Sequence, residues 1–150
     1  MAESRYEKYV CRHPLQGPFF QEKLVPFETQ PPLIFSNGNE PIKGANQFVE
    51  VIWIWAPCVS GTGPNSPHYH TFDEMFIWVG SDPKNPNDLG AEVEFWLGTG
   101  ADRDKVTFNT STLVLVPKGL HHLPIEYKKV TRPVVHMTIG INSGEHKLYT

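Results

Sequence analysis

Four of the seven histidines lie in two close pairs, His68 with His70 and His121 with His122. Side chains alternate between the two faces of an extended segment, so His68 and His70 point to the same side. Glu74 follows, and a turn over the three intervening residues would bring its carboxylate back toward the imidazoles. Histidine with carboxylate is a normal ligand set for Fe, Mn, Zn, Ni or Cu. These residues predict a site for one divalent metal ion.

The second histidine pair follows a predicted turn that begins at Pro117 and contains Gly119. Glycine readily takes the positive φ that a sharp turn between two strands needs. Adjacent residues on a strand face opposite sides, so only one of His121 and His122 can face the first pair. At this point either is a candidate for the third imidazole. The alternative is that the first pair, His68 and His70, lies at a loop edge on the surface.

The elements that would position these residues are short strands. From residue 48 onward, runs of β-branched and aromatic residues alternate with turns that contain Pro and Gly. We predict strands over residues 48–57, 68–80, 91–97, 105–109, 112–116 and 132–141, with a polar loop over 81–90. A further strand starts after the turn at Gly119. No long stretch has the 3.6-residue periodicity of a helix, so the pattern predicts an all-β sandwich or barrel.

The chain of 150 residues has the length of one domain. Residues 1–47 are rich in Pro and Gly, and we expect this N-terminal extension to pack on the barrel or to supply edge strands, where Pro is tolerated. Residues 48–141 would form the barrel core. The tail, 142–150, is either a frayed end or a docking strand.

Composition excludes several classes of function. The net charge of -3 and the absence of a basic patch in the sequence argue against a nucleic-acid partner. The longest apolar stretch, 51–59, is too short to cross a bilayer. The N-terminus carries no apolar segment typical of a secretory signal. Cys11 and Cys58 are the only cysteines and do not make a disulfide framework, so we expect a cytoplasmic protein.

The two histidine motifs resemble the pair of motifs that marks the cupin superfamily. The first reads His68-x-His70-x3-Glu74 and closes on Gly80, and the second reads Pro117-x-Gly119-x2-His122. The resemblance covers roughly residues 48–141. It implies a cupin-type β-barrel, also described as a double-stranded β-helix or jelly roll. It also implies the ligand set His68, His70, Glu74 and His122, with His121 outside it.

The sequence departs from the cupin motifs at four positions. Gly80 comes one residue early, and neither Gly61 nor Gly63 lies at the usual distance before His68. Ser111 stands in place of the leading glycine of the second motif, and Glu126 stands in place of its asparagine. These changes affect turns and leave the ligand set intact.

Other residues have a structural and a functional interpretation. His136, on a predicted strand, is either a histidine of the barrel wall or an acid–base group, since free imidazole titrates near neutral pH. Of the core aromatics, Phe76, Trp78 and Trp53 are candidates for lining a substrate pocket. Glu92 and Glu94 share a strand face, which we expect to be solvated or to contact a second subunit.

Four protein ligands on an ion that prefers six leave two positions open. A substrate could chelate there through two oxygens, or an oxygen donor and O₂ could bind side by side. Neutral histidines and one glutamate give a divalent site a net charge of about +1, which favours an anionic substrate. The resemblance implies dioxygenases, lyases, decarboxylases and isomerases. We expect a metal-dependent enzyme that acts on a small oxygenated substrate, with Fe, Mn, Zn or Ni and a preference for non-haem-iron dioxygenase chemistry.

The alternatives are a metal-dependent lyase, decarboxylase or isomerase, a binding module without turnover, and a structural barrel without metal. Small cupins are commonly dimers, so we also expect a homodimer.

Overall fold

The computed structural model describes residues 4–12, 32–144, 147 and 149–150. Within these ranges the chain forms nine strands and two short 3-10 turns, at Glu7–Tyr9 and Gly100–Asp102. No helix in the described part of the chain is long and apolar enough to cross a membrane. The all-β prediction is confirmed.

The strands form two antiparallel sheets. The first, sheet A, has the order β1-β2-β9-β4-β7 and contains β1 (Pro32–Asn37), β2 (Gln47–Ile54), β4 (Glu74–Gly80), β7 (Thr112–Val116) and β9 (Val134–Ile141). The second, sheet B, has the order β3-β8-β5-β6 and contains β3 (Cys58–Ser60), β5 (Asp88–Leu97), β6 (Asp104–Thr110) and β8 (His122–Lys128).

The core lies between the inner faces of the two sheets, as period-two alternation requires. On β4, Phe76 and Trp78 are buried, and on β5, Val93 and Phe95 are fully buried. The indole Nε1 of Trp78 donates a hydrogen bond of 3.0 Å to the hydroxyl of Tyr127, which joins the two sheets deep in the barrel.

The predicted strands differ from the observed ones mainly at their ends. β7 matches its prediction, but β2 ends at Ile54, so Trp55, which lies inside the predicted strand 48–57, is 48% exposed. β4 begins only at Glu74, and β5 begins at Asp88 inside the predicted polar loop. The short strand β3 was not predicted, because three residues are too few for an alternation pattern.

Segments before and after the predicted barrel core, residues 48–141, also pair with it. β1 pairs with β2 and forms an edge of sheet A. Residues 13–31 of the predicted N-terminal extension lie outside the described residues. Near the C-terminus, Tyr149 forms an isolated bridge with Tyr69, through backbone hydrogen bonds of 2.8 and 3.2 Å. The tail therefore docks beside the first histidine pair.

Candidate metal centre

The backbone joins the two histidine motifs near the first residues of β4 and β8. His68 and His122 form an isolated antiparallel bridge, with N–H···O distances of 3.3 and 2.9 Å. One motif is further tied to the other by the amide of Gly119, which donates to the carbonyl of His70 at 2.8 Å. Gly119 has φ +82°, the left-handed conformation expected for this turn. The turn and the bridge together bring three imidazoles to one place.

Each imidazole is oriented by a backbone carbonyl. The Nδ1 atoms lie near carbonyl oxygens in three pairs: His68 with Asn65 at 3.1 Å, His70 with Lys147 at 2.6 Å and His122 with Leu120 at 3.2 Å. A carbonyl oxygen can only accept a hydrogen bond, so each Nδ1 carries the proton. Each Nε2 then presents its lone pair, which is the form of histidine that binds metals.

The imidazole rings and the carboxylate of Glu74 lie close together. The ring nitrogens of His68, His70 and His122 lie within 4.8 Å of one another, and the Nε2 atoms of His68 and His70 are only 3.1 Å apart. Oε2 of Glu74 lies 3.2 Å from the Nε2 atoms of both His70 and His122. All four residues are buried. Lone pairs facing each other at such distances repel unless a cation lies between them, so this donor set fits a metal ion.

Burial also keeps His68 in the metal-binding form. Burial, together with the neighbouring His122 and His70, lowers the pKa of His68 to about 4. The ring is therefore neutral at neutral pH.

His121 lies outside this cluster. Its ring is half-buried and lies 4.9 Å from the ring of Tyr69, and its carbonyl accepts a hydrogen bond from Gly98 at 2.7 Å. The cluster thus contains His122 and not its neighbour, as the opposite faces of an extended chain require.

A bulge follows His122 on β8. Leu97 pairs with His122, whereas Phe95 pairs with Ile125, so β8 carries one extra residue over this interval. As a result His122, Leu123 and Ile125 all line the same cavity. A strict alternation would have turned one of them away.

The cavity beside the metal ligands has a volume of about 200 Å³. Besides the four proposed ligands it is lined by Phe48, Glu50, Ser60, Gly61, Phe76, Leu123, Ile125, His136 and Thr138. It is smaller than the roughly 300–1,000 Å³ of most drug-sized ligand pockets, so it suits a small molecule.

Only one of the three predicted pocket aromatics lines this cavity. Phe76 is part of the wall, but Trp78 lies deeper in the core, fully buried, with its ring centroid 6.1 Å from that of Phe76. Trp53 is half-buried on β2, where it alternates with the inward-facing Ile52 and Ile54 and therefore points to the outer face of sheet A. Trp78 and Trp53 were predicted to line the substrate pocket, but neither lines this cavity. Trp78 lies too deep in the core, and Trp53 faces the outside of sheet A.

His136 lines the cavity and also belongs to the barrel wall. It is 2% exposed, its Nε2 lies 3.2 Å from Oγ1 of Thr138, and its ring stacks on Trp78 with centroids 4.8 Å apart. Burial lowers the pKa of His136 to about 3. The imidazole is therefore neutral near pH 7 and can act there as a hydrogen-bonding group.

Glu92 and Glu94 face away from the cavity. Glu94 pairs with Lys105 and Lys128, both at 2.8 Å, and Glu92 pairs with Lys129 at 2.7 Å. These carboxylates belong to a charged network within the chain on the outer face of sheet B.

Glu50 is the cavity residue that sequence reasoning missed. It lies on β2 in the inward-facing register, and its partner on β9 is Thr138. Burial, followed by the charge of Glu74, raises the pKa of Glu50 to about 7. The sequence feature that could have identified it is a carboxylate in an apolar strand, two residues from each of the buried Phe48 and Ile52 and therefore on the same face as both.

Comparisons with known proteins bear on the fold. No protein-family model matches the sequence, and a search of curated proteins finds no similar sequence. Among solved structures, a mutant of the Bacillus subtilis oxalate decarboxylase is 8% identical, with a TM-score of 0.56 over 87% of this chain and 30% of that chain. An oxalate oxidase in complex with the substrate analogue glycolate is 11% identical, with a TM-score of 0.53 over 83% and 56% of the two chains. Vicilin from hazelnut, Corylus avellana, is 7% identical, with a TM-score of 0.51 over 80% and 30%.

This chain spans between 30% and 56% of the length of these three proteins. At such low identity the likeness is one of fold. The two antiparallel sheets and these structural neighbours lead to the same result: the chain has the all-β jelly-roll fold of the cupin type.

Proposed function

We propose that this protein is a metal-dependent enzyme that binds one divalent transition-metal ion through His68, His70, Glu74 and His122. The observation that carries the proposal is the cluster of three buried imidazoles whose ring nitrogens lie within 4.8 Å of one another, with Oε2 of Glu74 3.2 Å from two of them. The Nδ1–H groups of the three rings face backbone carbonyls, so their Nε2 atoms face the cluster.

The bound ion would polarise a carbonyl oxygen or acidify a hydroxyl group or water. The protein's own residues hold the substrate and limit its size. Phe76 and Ile125 supply apolar wall, and Thr138 and His136 supply hydrogen-bonding groups. The substrate is therefore a small oxygenated molecule.

Among reaction classes we favour a non-haem-iron type of dioxygenase, because histidines with one carboxylate suit Fe(II). A lyase, decarboxylase or isomerase would use the same ligands, with Mn, Zn or Ni as possible ions. We place the enzyme in the cytoplasm, since two cysteines in a chain of 150 residues do not make a disulfide framework.

Metal analysis of protein purified without chelator tests the metal site. We expect close to one transition-metal ion per chain, and loss of that ion when His68 and His70 are both changed to Ala. A double variant that kept its full metal content would show that the ligand assignment is wrong.

Oxygen uptake by the iron-loaded protein with a panel of small hydroxy ketones, diketones and carboxylates then tests the reaction class. Substrate consumption without oxygen uptake would instead favour a lyase, decarboxylase or isomerase.

A further inference from the structure

Glu50 lies across the cavity from the proposed metal ligands. In sheet A, Glu50 pairs with Thr138, which pairs with Phe76, while Glu74 lies two residues further along β4. With strands about 4.8 Å apart and a rise of about 3.4 Å per residue, the Cα atoms of Glu50 and Glu74 are about 12 Å apart. Both side chains line the cavity. Glu50 is thus placed to touch the far end of a molecule held at the metal centre.

The surroundings of Glu50 form a polar band on this wall. Thr138 is its direct neighbour on β9, and Oγ1 of Thr138 lies 3.2 Å from Nε2 of His136. Phe35, the neighbour on β1, is 6% exposed and lies on the edge side of Glu50. The carboxyl group therefore has apolar cover on one side and hydrogen-bonding groups on the other.

The second carboxyl group changes the charge of the site. A divalent ion with Glu74 alone gives a net charge of about +1, which was the basis for expecting an anionic substrate. With Glu50 ionised the net charge is about zero, and an anion would leave an uncompensated negative charge in a partly enclosed cavity, which is unfavourable. With Glu50 protonated, the group becomes a donor. A hydroxyl group both donates and accepts, so it pairs with Glu50 in either form.

We propose that Glu50 is the specificity-determining residue, and that the substrate is a small uncharged compound with two metal-binding oxygens at one end and a hydroxyl group at the other. This inference rests on the proposed metal site.

The test measures binding of three probes to Mn(II)-loaded protein through the relaxation of the probes' protons. Dihydroxyacetone has the proposed pattern, hydroxyacetone lacks only the distal hydroxyl group, and glycolate is the anion. We expect the unchanged protein to bind dihydroxyacetone about tenfold more tightly than hydroxyacetone, because hydroxyacetone cannot form the hydrogen bond to the carboxyl group of Glu50. In Glu50→Leu this ratio should fall below about twofold. Glu50→Gln should keep the hydroxyl preference and bind glycolate about tenfold more tightly than the unchanged protein does.

Glu92→Gln is the matched control, because it removes a carboxylate from the outer face of sheet B, and its probe affinities should equal those of the unchanged protein. Metal content is measured for every variant. Failure of the unchanged protein to bind Mn(II) or another divalent ion would refute the proposed function itself. If all variants bind metal, three results overturn the role of Glu50 alone: an unchanged ratio in Glu50→Leu, tighter binding of glycolate than of dihydroxyacetone by the unchanged protein, or no binding of dihydroxyacetone.

Discussion

Each of the three imidazoles of the candidate metal centre directs its Nδ1 at a main-chain carbonyl. Metal-binding histidines usually donate their second ring N–H to a carboxylate, a carbonyl or water, and this interaction fixes the tautomer. In this protein the acceptors belong to Asn65, Leu120 and Lys147. Substitution of these three side chains leaves the orienting carbonyls in place. The ligands themselves are therefore the residues at which side-chain changes have the largest effect.

The choice between His121 and His122 is tested by changing each to Ala. We expect His122→Ala to lower metal affinity by orders of magnitude, because it removes a buried Nε2 from the cluster. His121→Ala should leave metal content intact and change the free energy of unfolding by less than about 1 kcal/mol, since it removes only a half-buried ring beside Tyr69. Competition with a chelating dye and thermal melting give the two quantities. The reverse result would mean that the chain after Gly119 is shifted by one residue.

The buried His136 predicts how stability depends on pH. Its pKa is about 3 in the folded chain and near 6.5 when exposed, so between these values the unfolded chain binds a proton that the folded chain does not. The free energy of unfolding should therefore rise with pH over this window and decline as pH falls below about 6.5. In chelator-treated protein, His136→Gln should make this dependence shallower, although His68 still contributes. Urea denaturation at a series of pH values measures it, and equal slopes would contradict the prediction.

Single residues were predictable where spacing alone placed them. His68, His70 and Glu74 are close in the sequence, so alternation and one turn brought them together. Glu50 could not be assigned in this way, because a lone carboxylate in a strand reads equally well as solvent-facing until the neighbouring strands define the inner face. For the same reason Trp53 was predicted to line the pocket, although its alternation with the buried Ile52 and Ile54 places it on the outer face of sheet A.

At the scale of strands, the sequence predicts extended chain better than it predicts pairing. Residues 68–73 look like the start of β4, but they do not join its ladder. His68 instead pairs with His122 of sheet B, so the chain crosses between sheets just before Glu74. Local composition carries no information about the distant partner of an extended segment. β7 was predicted with its observed bounds because Ser111 and Pro117 interrupt the pattern on both sides.

The C-terminal segment provides a prediction about metal affinity. The carbonyl of Lys147 accepts the Nδ1 proton of His70, and Tyr149 holds the segment to Tyr69. A chain shortened after Gly144 should therefore bind metal about 10- to 100-fold more weakly, which is the usual effect of removing such an orienting group. The barrel strands all precede the cut, so circular dichroism should show a retained β-fold.

Lys147→Ala is the matched control for the shortened chain, because it keeps the main-chain carbonyl. Its metal affinity, measured by the same dye competition, should equal that of the unchanged protein. Equal affinity in the shortened chain would show that the carbonyl of Lys147 does not orient His70.

At the scale of the molecule, the two faces of sheet A differ in what they bury. The inner face builds the cavity and the core. On the outer face, one row of apolar side chains crosses all five strands: Ile34, Val51, Met137, Ile77 and Leu113. Ile34 and Leu113 are 41% and 57% exposed, and Leu115 in the next row is 56% exposed. A continuous apolar face of this kind is typical of a surface that contacts another protein.

We therefore propose that sheet A pairs with sheet A of a second copy, because closed two-fold symmetry is the commonest arrangement of identical subunits. Light scattering at micromolar concentration should give twice the chain mass of 17.0 kDa. Leu115→Glu should shift the protein to the mass of one chain, because a carboxylate would be buried without a partner in the interface. Val106→Glu, at a 41% exposed apolar position of sheet B, is the control and should leave the mass unchanged. A single-chain mass for the unchanged protein, or a Leu115→Glu variant that keeps the double mass, would exclude this arrangement.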